Sequence, residues 1–359
     1  MREMRKILIG LLMVLTPATV RAADLPTEIR IGVAGVGTGN RPVVGGAYVA
    51  TAANNGDLEN EFKKDGIAVK YVYFAGAGPA VNEALANGQL DFAYQGDLPA
   101  LVAKAGGLPT KLILAAGRFS AIYVGVPVDS PYRTLDDLKG KRVAVFKGTN
   151  LQLAFYNVLT SRGLKESDFK LINMSTFDGN AALLSKDIDA QVSGNDLVPL
   201  VDRGVVRIIY DTQKEVKLTR LTHVLVTEDF EHKYPEIVQR LVNTLLKTAA
   251  WEAEEANRGK TYQIWVKSGL GLSAWKRDYD AFRVRDRDSP LFDEYYRTHY
   301  KRLLKAGREL KLVRRDFDID RWLDPTYLNR GLKELHLEGV WPEQDAEGKP
   351  KVQLTAKAR

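Results

Sequence analysis

The feature that most constrains the fold of this chain is a regular alternation of short β-branched runs with amphipathic helical stretches. One series begins with EIRIGV and continues through IAVKYVYF, LDFAYQ and KLILAAG. A second series begins with AIYVGV and continues through KRVAVF, FKLINM, IDAQVSG and VVRIIY. Such alternation predicts parallel sheets that are covered by helices on both faces. Two series in succession, within a chain of 359 residues, predict two α/β lobes.

The N-terminal residues have a different character from the rest of the chain. Arg2, Arg5 and Lys6 precede the apolar run ILIGLLMVL, and small residues follow. This pattern is typical of a secretory signal peptide, with cleavage near Ala22 or Ala23. The apolar run is shorter than the ~20 residues that a membrane-spanning helix needs. Because the sequence also lacks a cysteine that could accept a lipid, we expect a free periplasmic protein.

Charge and rare residue types exclude several kinds of site. Without cysteine, the chain has no cysteine-type zinc site and no cysteine nucleophile. The four histidines lie too far apart for an HExxH pattern, so we expect no metal. The net charge of +7 comes from Lys and Arg that are interspersed with Asp and Glu along the chain. We therefore expect no nucleic-acid partner, and the basic balance either favours anionic small molecules or serves solubility alone.

Glycines follow the first predicted strand in the stretch IRIGVAGVGTGNRP. A dinucleotide fingerprint requires G-x-G-x-x-G between strand and helix, and a P-loop ends in G-K-[ST]. Neither pattern is present, so we expect no nucleotide and no other cofactor. The stretch does offer backbone N–H groups at the carboxyl end of a strand, which is where open α/β sheets bind ligands.

The same arrangement recurs after later predicted strands, in AGAGP, QGDLP, KGTN and SGND. Taken singly, each loop is explained by turn formation and helix capping. Taken together, the loops are expected to line a cleft between the two lobes.

These segments resemble the periplasmic solute-binding proteins of ABC importers for nitrate, sulfonates and taurine. The resemblance is carried by AGAGPAVNEALANGQLDFAYQGDLPALVAKAGG, SPYRTLDDLKGKRVAVFKGTN and DGNAALLSKDIDAQVSG, and it covers roughly Ile29 to Tyr210. It implies a type II periplasmic-binding-protein fold, in which two α/β lobes close on one ligand. The sequence departs from the family at SGNDLVP, where an aromatic residue is often found, and this leaves the identity of the ligand open.

The implied fold divides the chain into four parts. These are a signal peptide (1–23), the first part of lobe one (24–119), lobe two (120–220), and a return to lobe one with a C-terminal helical extension (221–359). A long helix is expected from Pro235 to about Asn257, because apolar residues share one of its faces. The segment after Leu272 is expected to pack as helices on lobe one, and whether it reaches over the cleft is left open.

The predicted cleft loops supply the candidate binding residues. Thr149 and Asn150 could donate to an oxyanion or cap a helix. Arg118, at the first crossover between the lobes, could pair with a sulfonate or be a surface cation at the hinge. Asp97 and Asp196 could meet a ligand amine or act as helix caps. The full set is Gly37, Thr38, Asn40, Gly76, Ala77, Gln95, Gly96, Asp97, Arg118, Gly148, Thr149, Asn150, Asn195 and Asp196.

The function that the resemblance implies is that of the periplasmic substrate-binding component of an ABC transporter. Such a protein captures a small organic anion, here an alkanesulfonate or a taurine-like compound, and delivers it to permease subunits in the membrane. We expect a monomer without enzymatic activity. Nitrate or another small anion is an alternative ligand, and a sensory ligand-binding domain is an alternative role. The thiamine-pyrimidine synthases share the fold, but their cysteine-rich pattern is absent and export argues against such an enzyme.

Overall fold

The computed structural model describes residues 25–351. The predicted signal peptide therefore lies outside the described residues. Within 25–351 no helix is both long enough and apolar enough to cross a membrane.

Lobe one is built on a five-stranded sheet with the order β2-β1-β3-β10-β4. Its strands are β1 (Glu28–Val33), β2 (Ala68–Tyr73), β3 (Phe92–Gly96), β4 (Thr110–Ser120) and β10 (Arg220–Thr227). Its first helices are α1 (Ala47–Asn55), α2 (Asp57–Phe62), α3 (Ala77–Ala86) and α4 (Asp97–Gly106).

Lobe two is built on a second five-stranded sheet with the order β7-β6-β8-β5-β9. Its strands are β5 (Tyr123–Pro127), β6 (Arg142–Val145), β7 (Lys170–Asn173), β8 (Ala190–Ser193) and β9 (Val206–Asp211). Its helices are α5 (Asn150–Ser161), α6 (Thr176–Leu184) and α7 (Val198–Asp202). The prediction of two α/β lobes is confirmed.

Both sheets are mixed, whereas the sequence predicted parallel ones. Strand β10 runs antiparallel to β3 and β4, and β5 runs antiparallel to β8 and β9. Each of these two strands enters its lobe from the other lobe, at the edge where the parallel strands end. It must therefore run in the opposite direction.

The chain crosses between the lobes twice, from β4 to β5 and from β9 to β10. The boundaries proposed after residues 119 and 220 fall at the end of β4 and at the start of β10. Because the crossovers are adjacent to the carboxyl ends of both sheets, they form the floor of the cleft.

The C-terminal part of the chain is helical and packs largely on lobe one. Its helices are α8 (Glu228–Lys233), α9 (Pro235–Ala253), α10 (Arg258–Trp265), α11 (Leu272–Tyr279), α12 (Val284–Arg287), α13 (Glu294–Glu309), α14 (Ile319–Trp322) and α15 (Thr326–Glu334). The apolar face that the sequence predicted for α9 is buried, at Ile237, Leu241, Leu245 and Ala249. Tyr295, Tyr296 and Tyr300 of α13 join the same core, so lobe one depends on the return of the chain.

Candidate functional site

A cavity of about 470 Å³ lies between the two lobes. Lobe one contributes the segments that follow β1 and β2, which include Gly37 and Ala77. Lobe two contributes the segments that follow β6, β7 and β8, which include Asn150, Thr176 and Asn195. The carboxyl ends of the parallel strands of both sheets thus meet at one cavity, which is the usual ligand position in open α/β sheets.

Two smaller cavities adjoin the large one, with volumes of about 200 and 130 Å³. All three share Arg220 and Asn150 in their linings. These two residues therefore mark the inner end of the cleft.

Among the described residues, Arg220, at the first position of β10, is the cation in the lining of the large cavity. Its Nη2 donates to the carbonyl oxygen of Ala121 at 2.7 Å, and its Nη1 lies 3.4 Å from Oδ1 of Asn150. Its Nε is buried and has no hydrogen-bond partner among residues 25–351. Burial lowers the pKa of Arg220, but an arginine keeps its charge in proteins. A desolvated guanidinium with a free N–H is suited to bind an oxyanion.

The amide of Asn150 connects the lobes at this point. Asn150 is the first residue of α5 in lobe two, and it packs against Gly96 at the end of β3 in lobe one. A Cβ atom at position 96 would lie 2.4 Å from Nδ2 of Asn150. Glycine is therefore required for the two loops to approach this closely.

The Thr149 side chain is engaged in capping α5. Its hydroxyl donates to the carbonyl oxygen of Phe146 at 2.7 Å and accepts from the backbone N–H of Leu151 at 3.3 Å. The sequence left open whether Thr149 binds an oxyanion or caps a helix, and these hydrogen bonds are those of a helix cap. Because the hydroxyl proton is already donated, the Thr149 side chain has no free donor for an oxyanion.

Asn195 and Asp196 line the cavity from the loop after β8. The carboxylate of Asp196 accepts from the hydroxyl of Ser193 and from the N–H of Gly194, and burial raises its pKa. The Nδ2 group of Asn195 is buried without a hydrogen-bond partner in the described part of the chain. This amide is a second donor, after Arg220, that a bound anion could satisfy.

The structure brings most of the sequence-predicted residues to the cleft. The large cavity is lined by Gly37, Thr38, Asn40, Ala77, Thr149, Asn150, Asn195 and Asp196. The adjoining cavity of about 200 Å³ is lined by Gln95 and Gly96. The linings of these cavities do not include Gly76, Asp97, Arg118 or Gly148.

The placement of Arg118 corrects the expectation that it faces an anion or forms a surface cation. Its side chain is fully buried in lobe one, and Nη1 pairs with Oδ2 of Asp293 at 2.6 Å and with Oε1 of Gln344 at 2.8 Å. Its Nη2 donates to the carbonyl oxygens of Ser289 and Leu291. Arg118 therefore anchors the C-terminal segment on β4.

Asp97 is likewise structural, but it is the first residue of α4 and not the N-cap, which is Gly96. Its Oδ1 accepts from the N–H of Leu98 at 2.6 Å, and its Oδ2 accepts from the N–H of Leu221 at 2.7 Å. Burial raises the pKa of Asp97 to about 7. The carboxylate thus ties the start of α4 to β10, next to Arg220.

Sequence reasoning missed Arg220, Trp275 and the Ser175–Asp178 loop, all of which line the cavity. In the sequence, a loop that follows a strand is the signal for a cleft residue, whereas Arg220 begins a strand. The same rule, applied to the strand FKLINM, would have found the Ser175–Asp178 loop. Trp275 carries no local signal, because the segment that contains it reaches the cleft only through the tertiary fold.

The C-terminal extension does reach across the cleft, through α11. Ser273 donates to Oδ2 of Asp202 in lobe two at 2.5 Å. The hydroxyl of Tyr123, also in lobe two, donates to Oδ1 of Asp278 at 3.3 Å. The extension is therefore packed on lobe one and bonded to lobe two.

Comparison with known proteins gives the family. The sequence matches the family described as NMT1/THI5-like over residues 51–257, which is more than half of the chain. The chain belongs to the NMT1/THI5-like family. Its match to this family begins within α1, includes α2 to α9 and both crossovers, and ends before Ser268 and Trp275.

Two relatives of this NMT1/THI5-like protein are named for the binding of sulfur compounds. A putative aliphatic sulfonates-binding protein of Bacillus subtilis is 28% identical over 204 residues, which are 56% of this chain and 61% of that protein. The taurine-binding periplasmic protein of Escherichia coli is 25% identical over 239 residues, which are 64% of this chain and 71% of that protein. The aligned part of the chain thus spans about three fifths of the first relative's length.

A crystal structure of similar architecture extends the match to nearly the whole chain. The putative periplasmic sulfonate-binding protein of a sulfonate ABC transporter from Methylobacillus flagellatus is 33% identical, with a TM-score of 0.75. The comparison covers 89% of this chain and 97% of that one. The type II periplasmic-binding-protein fold is therefore shown for this NMT1/THI5-like protein.

Proposed function

We propose that this protein is the periplasmic substrate-binding component of an ABC importer, which captures an organosulfonate and delivers it to a membrane permease. The observation that carries the proposal is the half-buried Arg220 side chain, whose buried Nε has no partner in the described chain. It lies at the inner end of a cavity that both lobes line. The names of the similar proteins support a sulfonate or taurine-like ligand.

The donors of the cleft suit the head group of a sulfonate. A sulfonate presents three acceptor oxygens, and a guanidinium can contact two of them side by side. The free amide of Asn195 is a further donor in the same lining. Removal of the ligand charge from water is compensated only if such donors are preorganised.

Binding without catalysis is the better supported role. Among residues 25–351 the lining of the cavity includes no histidine, and the sequence contains no cysteine. The lining therefore holds neither a cysteine nucleophile nor a histidine general base, and the similar proteins reported above are named as binding proteins.

A thermal-shift and calorimetry panel tests the ligand class. The protein is titrated with ethanesulfonate, taurine, sulfate, nitrate and acetate. We expect stabilisation by the sulfonates of about 2.7 kcal/mol at a hundredfold excess over Kd, and a smaller effect of the other anions. If nitrate or sulfate alone stabilised the protein, the sulfonate assignment would be wrong.

Cross-linking in cells tests the partner. We expect the permease subunits of an importer to be recovered with the protein from the detergent-solubilised membrane fraction. Recovery of a sensor kinase instead would assign the protein to signalling.

A further inference from the structure

We propose that the cleft selects organosulfonates that carry an aromatic ring, and that Trp275 is a specificity-determining residue. This inference rests on the proposed sulfonate-binding function and deepens it. The cleft is larger than a sulfonate with a two-carbon chain would fill, and such a ligand would contact only part of its lining.

The cavity has a polar end at Arg220, and its remaining walls combine polar side chains, Asp178 and Asp196 among them, with apolar ones. The residues it shares with the smaller adjoining cavities include Arg220, Asn150 and Trp275, which therefore lie at the inner end. Those that line the large cavity and neither smaller one include Val36, Phe146, Leu151, Phe177 and Leu270. A head group on Arg220 would direct the rest of the ligand past Trp275 toward these apolar walls.

The volume of the cavity agrees with a ring-sized substituent. About 470 Å³ lies within the range of roughly 300 to 1,000 Å³ that proteins use for drug-sized ligands. Ethanesulfonate or taurine would leave most of this space to water. A ring would instead bury apolar surface against Phe146, which directly follows β6, and Phe177, in the first turn of α6.

Trp275 is a preformed aromatic wall beside Arg220. Its indole ring packs on that of Trp265, with 5.3 Å between the centroids. Position 45 is a glycine, and a Cβ atom there would lie 2.5 Å from Cζ2 of Trp275. A fixed ring face of this kind favours offset or edge-on contact with another aromatic ring.

An unsatisfied donor on the same side chain also points to a ligand. Trp275 is 4% exposed, and its Nε1 has no hydrogen-bond partner among the described residues. The indole N–H groups of Trp322 and Trp341 are also buried without a partner among the described residues, so the position of Trp275 in the cavity lining is what makes its N–H available to a ligand. A sulfonate oxygen on Arg220 would supply the acceptor.

Part of this lining lies outside the part of the chain that identifies the family. The family match ends at residue 257, so it includes Phe146 and Phe177, whereas Leu270 and Trp275 belong to the segment that follows. Membership of the family therefore does not determine the walls that Leu270 and Trp275 form.

Calorimetry with two probes, ethanesulfonate and naphthalene-2-sulfonate, tests the inference. We expect the wild-type protein to bind naphthalene-2-sulfonate at least about tenfold more tightly, since stacking and apolar burial each favour it. In Trp275→Ala this preference should fall below about threefold. Phe177→Ala, on the partly exposed start of α6 in lobe two, should lower the preference in the same direction, and Phe177 belongs to none of the hydrophobic core clusters of the described residues.

Trp251→Ala is the matched control, because this tryptophan of α9 lies in a different surface groove. It should leave the preference unchanged. Equal or tighter binding of ethanesulfonate by the wild-type protein would overturn the inference and leave the proposed function intact. An unchanged preference in both Trp275→Ala and Phe177→Ala would also overturn it. If neither probe bound the wild-type protein, the proposed function would fail and the inference with it.

Discussion

Replacement of Arg220 by alanine should nearly abolish sulfonate binding and leave the fold intact. The guanidinium is desolvated, and its bonds within the protein are to the carbonyl oxygen of Ala121 and, at 3.4 Å, to Oδ1 of Asn150. Loss of these two bonds should lower the free energy of unfolding by about 1 to 2 kcal/mol. Loss of a charge-assisted contact in a closed cleft costs ~2 to 5 kcal/mol of binding free energy. The expected increase in Kd is therefore roughly 30-fold to several thousandfold.

The assay is isothermal titration calorimetry with ethanesulfonate on the wild type, Arg220→Ala and Lys147→Ala. Lys147 is an exposed cation two residues before Thr149, and it does not belong to the lining of the cavity. Its removal changes the net charge equally but should alter Kd by less than about threefold, because exposed charges are screened. If Arg220→Ala bound ethanesulfonate within about threefold of the wild type, the head group would not lie on Arg220 and the reasoning would be refuted.

Three further predictions concern stability and closure. Arg118→Met should lower the free energy of unfolding by about 3 to 5 kcal/mol in urea denaturation, because it leaves Asp293 buried and unpaired. The Kd of this variant for ethanesulfonate should be unchanged. Loss of affinity with full stability would contradict the prediction. Burial and the charge of Asp288 raise the pKa of Glu252 well above its ordinary value, so the native state keeps a proton that the unfolded chain releases. The free energy of unfolding of the wild type should then fall as pH rises above 4.5, by up to about 1.4 kcal/mol per pH unit. Urea denaturation of Glu252→Gln should show a shallower dependence of this free energy on pH. An equal pH dependence in both proteins would exclude a protonated Glu252. Ser273→Ala removes a bond between α11 and lobe two, and calorimetry should show a Kd raised by about two- to tenfold; a lowered Kd would mean that this contact opposes closure.

The two lobes could be predicted from the sequence because each strand and each following helix carries its own local pattern. The loops with Gly37, Asn150 and Asn195 could be predicted for the same reason, since glycine and amide residues mark the carboxyl ends of strands. Arg118 and Arg220 could not be told apart in this way. Both lie at crossovers between the lobes. The carboxylate that pairs with Arg118 belongs to Asp293, which is distant in the sequence.

Trp275 shows a second limit of the sequence. Its helix is amphipathic, and nothing in its local pattern distinguishes packing on lobe one from reaching the cleft. The outcome depends on Gly45, which makes room for the indole ring, and on the bond from Ser273 to Asp202. Both partners lie in other parts of the chain, so only the folded structure reveals the wall that Trp275 forms.

A crystal structure of the mature protein with ethanesulfonate bound is the most direct test of a sulfonate site between the lobes. We expect the sulfonate in the cavity between the lobes, with at least one oxygen about 3 Å from a guanidinium nitrogen of Arg220 and with the carbon chain directed toward Phe146 and Phe177. A sulfonate bound outside this cavity, or bound within it with its oxygens directed away from Arg220, would contradict the account.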